Sequence, residues 1–520
     1  MSMQFSSAKV DFELGTLTSP APAKAREDTP FCMAILADFS GRGNRGLCET
    51  GPSLASRRAV RVDVDNIESL PARFGTELYI PVGAAGSSIA ISFSELDDFH
   101  PDRIFDSVEI FQKLKSTRRR LLDSATFAEA AAEVQSWAAG QGGEAEPSQA
   151  DSAADDSPES EESDTDTIER LLGKSPSIKQ PSAPERRSAD IESLIREVVK
   201  PYIVPAPDSR QADLVAQVDE AISGQMRAIL HHPDFQAVEA AWRNLHFLVS
   251  RVETDEMLRM YAFDVSKAEL AADLAGAANL ESSGIYRLLA ERSAGVQGAE
   301  PWAVLVAGYT FDKTEQDIEL LRNLGGVAQA AGAPLLAAAG SHFAGCESIA
   351  TTPEPEDWRW QAGEPATRRW QELRRSPEAN FIGLALPRFL LRLPYGKETE
   401  PIDRFDFQEL SGVGDHERYL WGNPAGIIAY LLAAAFSEYG WRVTEGLGSD
   451  VGGLPMHVCK SEAETDVTPC AETFLSERAV RVLIDKGLMP VLSIKGQDAV
   501  RAPRFQSIAE PASPLAGRWR

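Results

Sequence analysis

The sequence predicts an α/β protein made of two mixed α/β domains joined by a disordered acidic linker, and three observations carry that prediction. The chain has 520 residues, several times the size of an ordinary domain, so more than one core is expected. The stretch from Gly140 to Thr167 holds ten acidic residues and neither a basic nor an aromatic one. Such a segment cannot bury enough apolar surface to offset its ordering entropy, and its like charges push it open. On either side of it, apolar runs of strand length alternate with stretches of helical period. The expected boundaries are 1–139 for the first domain, 140–187 for the linker and 188–520 for the second domain.

In the first domain, the alternation Lys9-Val10-Asp11-Phe12-Glu13-Leu14 predicts a half-buried strand, and the unbroken apolar run from Phe31 to Ala37 a fully buried one. Further strands are expected at Ala59 to Val64 and Glu77 to Val82. From Pro101 the period changes: Ile104, Phe105, Val108, Phe111 and Leu114 share one face of a helix that opens on a favoured first-turn proline. A second helix, near Phe127 to Trp137, leads into the linker. In the second domain, Ile191 to Val199 and Leu214 to Leu230 read as helices, and Phe235, Val238, Trp242, Leu245 and Val249 line the next one. Trp302 to Ala307, Asp317 to Ala331 and Pro334 to Ala339 then give a strand, a helix and a strand, a βαβ unit with parallel pairing. Phe381 to Leu386, a helix from Pro424 to Tyr439, and Trp441 to Thr444 continue that alternation.

Composition narrows the function. With 43% hydrophobic and 25% charged residues, the chain has the balance of a soluble globular protein. Its longest apolar candidate, Ala425 to Phe436, is too short to cross a bilayer and reads as a core helix, so no membrane insertion is expected. The first residues lack the basic start and apolar stretch of a secretory signal, which makes the cytoplasm the expected location. Cys32, Cys48, Cys346, Cys459 and Cys470 are scattered without a Cys-x-x-Cys pair, which argues against a disulfide framework and against a zinc site. A net charge of -26 repels a phosphate backbone, so nucleic acid is not an expected partner.

No recognised catalytic motif is complete, and no catalytic, cofactor-binding or metal-binding residue is assigned. Gly173-Lys174 and Gly396-Lys397 lack the upstream glycine of a phosphate loop. The run Gly446 to Gly453 approaches a dinucleotide-binding loop, but its third glycine is displaced and Leu454-Pro455 stands where a helix should begin, so it reads as a turn. His231 and His232 are adjacent, point in different directions on a helix, and suit a helix end better than a metal. Asp415-His416-Glu417-Arg418 is not a His-Glu-x-x-His site and reads as a hydrogen-bond and ion-pair cluster. Ser341 lacks the glycine spacing of a nucleophile elbow. These readings point away from an enzyme.

Several longer stretches carry a resemblance. Phe31-Cys32-Met33-Ala34-Ile35-Leu36-Ala37-Asp38-Phe39-Ser40-Gly41, Val62-Asp63-Val64-Asp65-Asn66-Ile67 and Leu96-Asp97-Asp98-Phe99-His100-Pro101-Asp102 resemble the small subunit (TssB/ImpB) of the type VI secretion contractile sheath. His231-His232-Pro233-Asp234-Phe235-Gln236, Ala241-Trp242-Arg243-Asn244-Leu245, Pro387 to Gly396, and Tyr419-Leu420-Trp421-Gly422-Asn423 resemble its large subunit (TssC/ImpC). The resemblance covers residues 9 to 137 and much of the second domain, and implies two domains of contractile-sheath type fused in one chain.

It further implies a structural protein, without cofactors, that assembles around an inner tube and shortens to drive it. Its partners would be copies of itself or other sheath subunits, the inner-tube protein, the baseplate and an AAA+ disassembly unfoldase. Subunits of this family exchange terminal strands, a form of β-augmentation, and Val10, Phe12 and Leu14 mark the expected donor strand. The segment Thr167 to Leu172, through Ile168, Leu171 and Leu172, is the expected unfoldase contact. After Val491 to Gly496 the large-subunit family continues into a substantial C-terminal region, whereas Ala502 to Arg520 is short and irregular. That difference raises an alternative role as a non-polymerising adaptor or regulator of sheath or baseplate.

Overall fold

In the computed structural model, residues 24–82, 87–139, 211–291, 301–410, 416–460 and 465–519, with Ile195, Val198 and Val199, are described. Val10, Phe12, Leu14, the acidic segment and the 168–172 stretch all lie outside them.

Seven strands form one sheet: β1 (Phe31–Ala37), β2 (Val60–Val62), β3 (Leu258–Asp264), β4 (Trp302–Phe311), β5 (Leu335–Ala339), β6 (Ile382–Leu386) and β7 (Leu488–Pro490). Their spatial order is β7-β6-β5-β4-β1-β3-β2. All neighbours are parallel except β2, which runs antiparallel to β3. The mixed α/β character expected from the sequence is present. The two parts of the chain do not, however, fold around separate cores. β1, from the N-terminal part, is a central strand held between β3 and β4 of the C-terminal part, with Phe31 opposite Leu258 and Ala37 opposite Asp264, and Leu36 opposite Ala307 on the other side.

Every residue of β1 is buried, and its side chains alternate between two cores. Phe31, Met33, Ile35 and Ala37 enter one, while Ala34 and Leu36 enter the other. A strand covered on both faces reads as a continuous apolar run, which is why Phe31 to Ala37 stood out in the sequence. On the first face lie the helices Gln211–Leu230, Pro233–Arg251 and Ala425–Tyr439, joined there by Pro101–Ser107, Glu109–Leu122 and Phe127–Ala139 of the N-terminal part. On the second lie Lys267–Gly276, Glu315–Ala331, Glu364–Arg374 and Glu477–Asp485. Trp302 to Ala339 forms the expected parallel βαβ unit.

Two expectations need correction. The helix from Pro101 is broken: Val108 adopts an extended conformation between Pro101–Ser107 and Glu109–Leu122. All five apolar residues that suggested a single helix are nevertheless buried. The break is stabilised locally, because the Gln112 amide donates to the carbonyls of Phe105 and Asp106 at 2.7 and 2.9 Å. Trp441 to Thr444 is not a strand. Val443–Glu445 is a 3-10 turn, and Trp441 packs on Phe31 and Phe436 while its indole N–H donates to the Thr29 carbonyl at 2.7 Å.

Outside the main sheet, Thr76–Val82 and Ser87–Phe93 form an antiparallel hairpin, and His457–Lys460 and Thr465–Thr468 form another. Among the described residues no helix is long and apolar enough to cross a membrane.

Candidate assembly site at the joint between the two parts

The joint is built where β1 and β3 end, because a parallel pair delivers both chain exits to the same edge of the sheet. Beyond β1, the backbone N–H groups of Phe39 and Ser40 donate to Asp264 Oδ1 at 2.9 and 3.0 Å, and the Ser40 hydroxyl donates to Asp264 Oδ2 at 2.7 Å. The Phe39 carbonyl accepts from the Trp242 indole at 2.8 Å and from the Thr76 hydroxyl at 3.0 Å. Its ring lies against Phe74 and Trp242. Asp38 holds the turn itself, accepting from Arg42 and Gly43 backbone N–H at 2.6 and 2.7 Å. Gly41 sits at φ 76, and a side chain there would meet the Glu77 carbonyl oxygen at 2.6 Å, so the turn requires glycine.

Two further carboxylates of the C-terminal part grip the N-terminal part. Glu269, fully buried, accepts from Arg42 Nε at 3.0 Å and from Arg57 Nη2 at 3.0 Å, and takes the Glu49 backbone N–H at 3.0 Å. It also closes a capping box with Ser266 at the start of Lys267–Gly276. Asp273 accepts the Gly51 N–H at 2.6 Å together with the N–H groups of Gly284 and Ile285 at 3.0 and 2.9 Å. This cluster was missed in the sequence; the capping-box spacing Ser266-x-x-Glu269 is the one signal that could have found Glu269, and nothing in the pattern marks Asp264 or Asp273.

A second buried ion network lies along Pro233–Arg251. The Arg392 guanidinium donates to Glu239 Oε1 at 2.9 Å and to both oxygens of Glu409 at 2.8 and 3.0 Å. Arg243 donates to Glu239 at 2.7 Å and to the Tyr395 hydroxyl at 3.2 Å. Glu409 also accepts the Tyr395 N–H at 2.7 Å, and His231 Nε2 stands 3.5 Å from it. Two arginines thus face two carboxylates, and the group is charge-balanced.

Most of the stretches that resemble sheath subunits contribute contacts to this region. His100-Pro101-Asp102 and His232-Pro233-Asp234 make the same helix start, each histidine Nδ1 accepting the N–H two residues on, as expected of a helix-end role. Asp102 then reaches across to accept the N–H groups of Asp403 and Arg404, both at 3.0 Å. The Asn244 amide donates to the Asn423 carbonyl at 3.1 Å, and Asn423 in turn donates to the Tyr309 carbonyl at 3.0 Å. His416 and Glu417 belong to an ion-pair cluster with Arg388 and Glu472, as read from the sequence. Asp450–Val451, within the glycine-rich loop, pairs with Val500–Arg501 instead of opening a helix. Among the described residues no group of His, Cys, Asp or Glu is arranged to hold a metal ion.

These charges set a pH dependence. Burial alone would raise the Glu269 carboxyl, but Arg57 and Arg42 overcome it and hold the group at about 2, against an ordinary 4.5. Burial likewise opposes ionisation of Glu409, and the Arg392 charge prevails to hold it at about 2. A carboxylate with a depressed pKa in the folded state stabilises the fold above its unfolded pKa and loses that contribution as pH falls towards its folded value. At about 1.4 kcal/mol per pKa unit, Glu269 contributes on the order of 3 kcal/mol. Asp38 and Asp264, raised chiefly by burial, act in the opposite sense and offset part of the loss. The urea midpoint is expected to be flat from pH 7 to about 5 and to fall steeply between about 4.5 and 2. An equal midpoint at pH 7 and pH 3 would contradict this account.

Comparison with known proteins matches the same two parts. Residues 212–508 match the VipB model, described as EvpB/VC_A0108, tail sheath N-terminal domain, and residues 17–136 match the VipA model, described as type VI secretion system, VipA, VC_A0107 or Hcp2. The type VI secretion system sheath protein TssC1 of Pseudomonas aeruginosa is 35% identical over 306 residues, which is 58% of this chain and 61% of that protein. The sheath protein TssB1 of the same organism is 26% identical over 110 residues, 20% of this chain and 62% of that protein. The chain thus spans about three fifths of each relative's length. With one family model covering more than half of its residues and a second covering the part that supplies β1, the chain belongs to the type VI secretion tail sheath family, carrying a VipA-like and a VipB-like part in one polypeptide.

Proposed function

We propose that the chain is a structural building block of a type VI secretion sheath, a small and a large subunit delivered as one preassembled unit. The observation that supports this best is the position of β1: the VipA-like part supplies a central strand to the VipB-like sheet, and three carboxylates fasten its exit. A unit locked in this way moves as a rigid body, which suits a polymer that changes shape by shifting whole subunits. In this reading the units are 1–139 and 188–520 and the acidic stretch 140–187 is a spacer. The assembly surrounds an inner tube, stands on a baseplate in the cytoplasm, and shortens without chemistry of its own.

The strand at Val10, Phe12 and Leu14 is the proposed link to a neighbouring subunit. A hairpin such as His457–Lys460 with Thr465–Thr468 forms a two-stranded sheet of its own; two strands alone are marginally stable in water, and an added strand would complete it. Ile168, Leu171 and Leu172 remain the proposed grip for the unfoldase.

Negative-stain electron microscopy of the purified chain, alone and coexpressed with the secretion proteins encoded beside it, is expected to show tubes or rings. Phe12→Pro is expected to abolish them while leaving the thermal transition of the subunit unchanged. Discrete particles under both conditions would favour an adaptor and end the polymer reading.

A further inference from the structure

The two faces of the molecule carry complementary surfaces. On the face of the second core, the helices Lys267–Gly276 and Glu315–Ala331 enclose a groove of about 840 Å³. The buried Leu274 and Leu320, with the half-buried Leu280, give it an apolar floor, and the exposed Glu315 and Glu319 line it beside Arg369. The two glutamates are about half exposed and share one cation, Arg369, at 3.3 and 3.5 Å, so this lining keeps an excess of negative charge.

On the opposite face, the helix Glu109–Leu122 is strongly basic in a chain of net charge -26. Lys115, Arg119 and Leu122 are exposed and stand at positions i, i+4 and i+7, which is one stripe of a helix. Leu122, 54% exposed, is among the few large apolar side chains left in solvent. Lys115 pairs with Asp106 at 3.2 Å and lies over the Phe105 ring at 5.3 Å, and Arg119 has no acidic partner among the described residues.

We propose that this groove takes the stripe of Lys115, Arg119 and Leu122 from a second copy of the chain. Both charge pairs have the same i, i+4 spacing, about 6 Å along a helix axis, so Lys115 and Arg119 can meet Glu315 and Glu319 together while Leu122 enters the apolar floor. The groove belongs to the core on one side of the sheet and the stripe to the core on the other. The contact is therefore heterologous, and repeating it gives a ring or an open stack instead of an isologous dimer. The inference rests on the sheath reading, to which it adds a specific contact between subunits.

Charge reversal tests it, since both positions are exposed and the variants will fold. R119E and E319K are each expected to weaken self-association in sedimentation velocity at least tenfold, with the wild-type association itself weakening as salt rises. An equimolar mixture of the two variants, and the chain carrying both changes, should recover it, because the two reversed charges then attract each other across the contact. Loss of stability alone cannot produce recovery on mixing. Wild-type tubes with both single variants unaffected, or weakened variants that do not recover when mixed, overturn this contact and leave the sheath reading standing. A wild-type chain that stays monomeric at the highest concentration overturns both.

Discussion

Expressed as two polypeptides, residues 1–139 and 188–520, the chain is expected to be recovered as a one-to-one complex, and from neither polypeptide alone as a folded protein. The reason is the place of β1. Without it, β3 and β4 lose the strand between them, and the backbone groups that paired with Phe31 to Ala37 are left buried without partners. Phe31, Met33, Ile35 and Leu36, each at most 5% exposed, contribute about 1.5–3 kcal/mol apiece by burial. Their sum, on the order of 10 kcal/mol, is comparable to the whole stability of a typical domain. The carboxylates Glu269 and Asp273 would in addition lose Arg42, Arg57 and the Gly51 N–H. Coexpression with separate affinity tags, followed by urea unfolding of the complex and of each part, checks this. A cooperative transition for 188–520 alone, at the midpoint of the full chain, would sink the shared-core account.

Much of the sheet was legible because its inner strands are apolar on both faces; Phe31 to Ala37, Trp302 to Ala307 and Leu335 to Ala339 announced themselves by composition and length. β3, Leu-Arg-Met-Tyr-Ala-Phe-Asp, did not, since Arg259 and Tyr261 interrupt the run. Periodicity carries no information on partners, and so the insertion of β1 between strands more than 200 residues later was not readable as a pairing. The same limit applies to the joint. Asp264 is one acidic residue among 78 Asp and Glu, and only the fold brings it to the N–H groups of Phe39 and Ser40, 225 and 224 residues away. Trp242 was marked by helical spacing as well as by resemblance, and Asn423 by resemblance alone; that Trp242 holds the Phe39 carbonyl of the N-terminal part follows only from geometry. Val108 shows a local version of the problem, because its side chain keeps the helical pattern of burial while its backbone leaves the helix.

The substitution with the largest expected effect at a single position is Arg392→Met. Arg392 is 6% exposed and bridges Glu239 and Glu409, themselves fully and almost fully buried. Removing it leaves two buried carboxylates and one arginine, Arg243, which reaches Glu239 but is not among the partners of Glu409. Breaking a buried pair from one side costs about 3–5 kcal/mol, because the remaining charge keeps its desolvation penalty without its partner. Lysine is not an adequate replacement, since the forked contact to Glu409 at 2.8 and 3.0 Å needs a guanidinium. The double variant R392M/E409Q should recover part of the loss, because it removes the stranded charge as well. The sign of the pH effect distinguishes this mechanism from simple loss of packing. In the native chain Arg392 is the main influence holding Glu409 down against burial; without it, burial prevails and the carboxyl titrates upward. A group whose folded pKa lies above its unfolded value favours the fold as it takes up a proton. The deficit of Arg392→Met relative to the native chain, measured by urea unfolding, should therefore shrink as pH is lowered from 7 to 5, a range in which the native midpoint stays flat. A deficit independent of pH would assign the loss to the missing side-chain volume and not to the stranded charge.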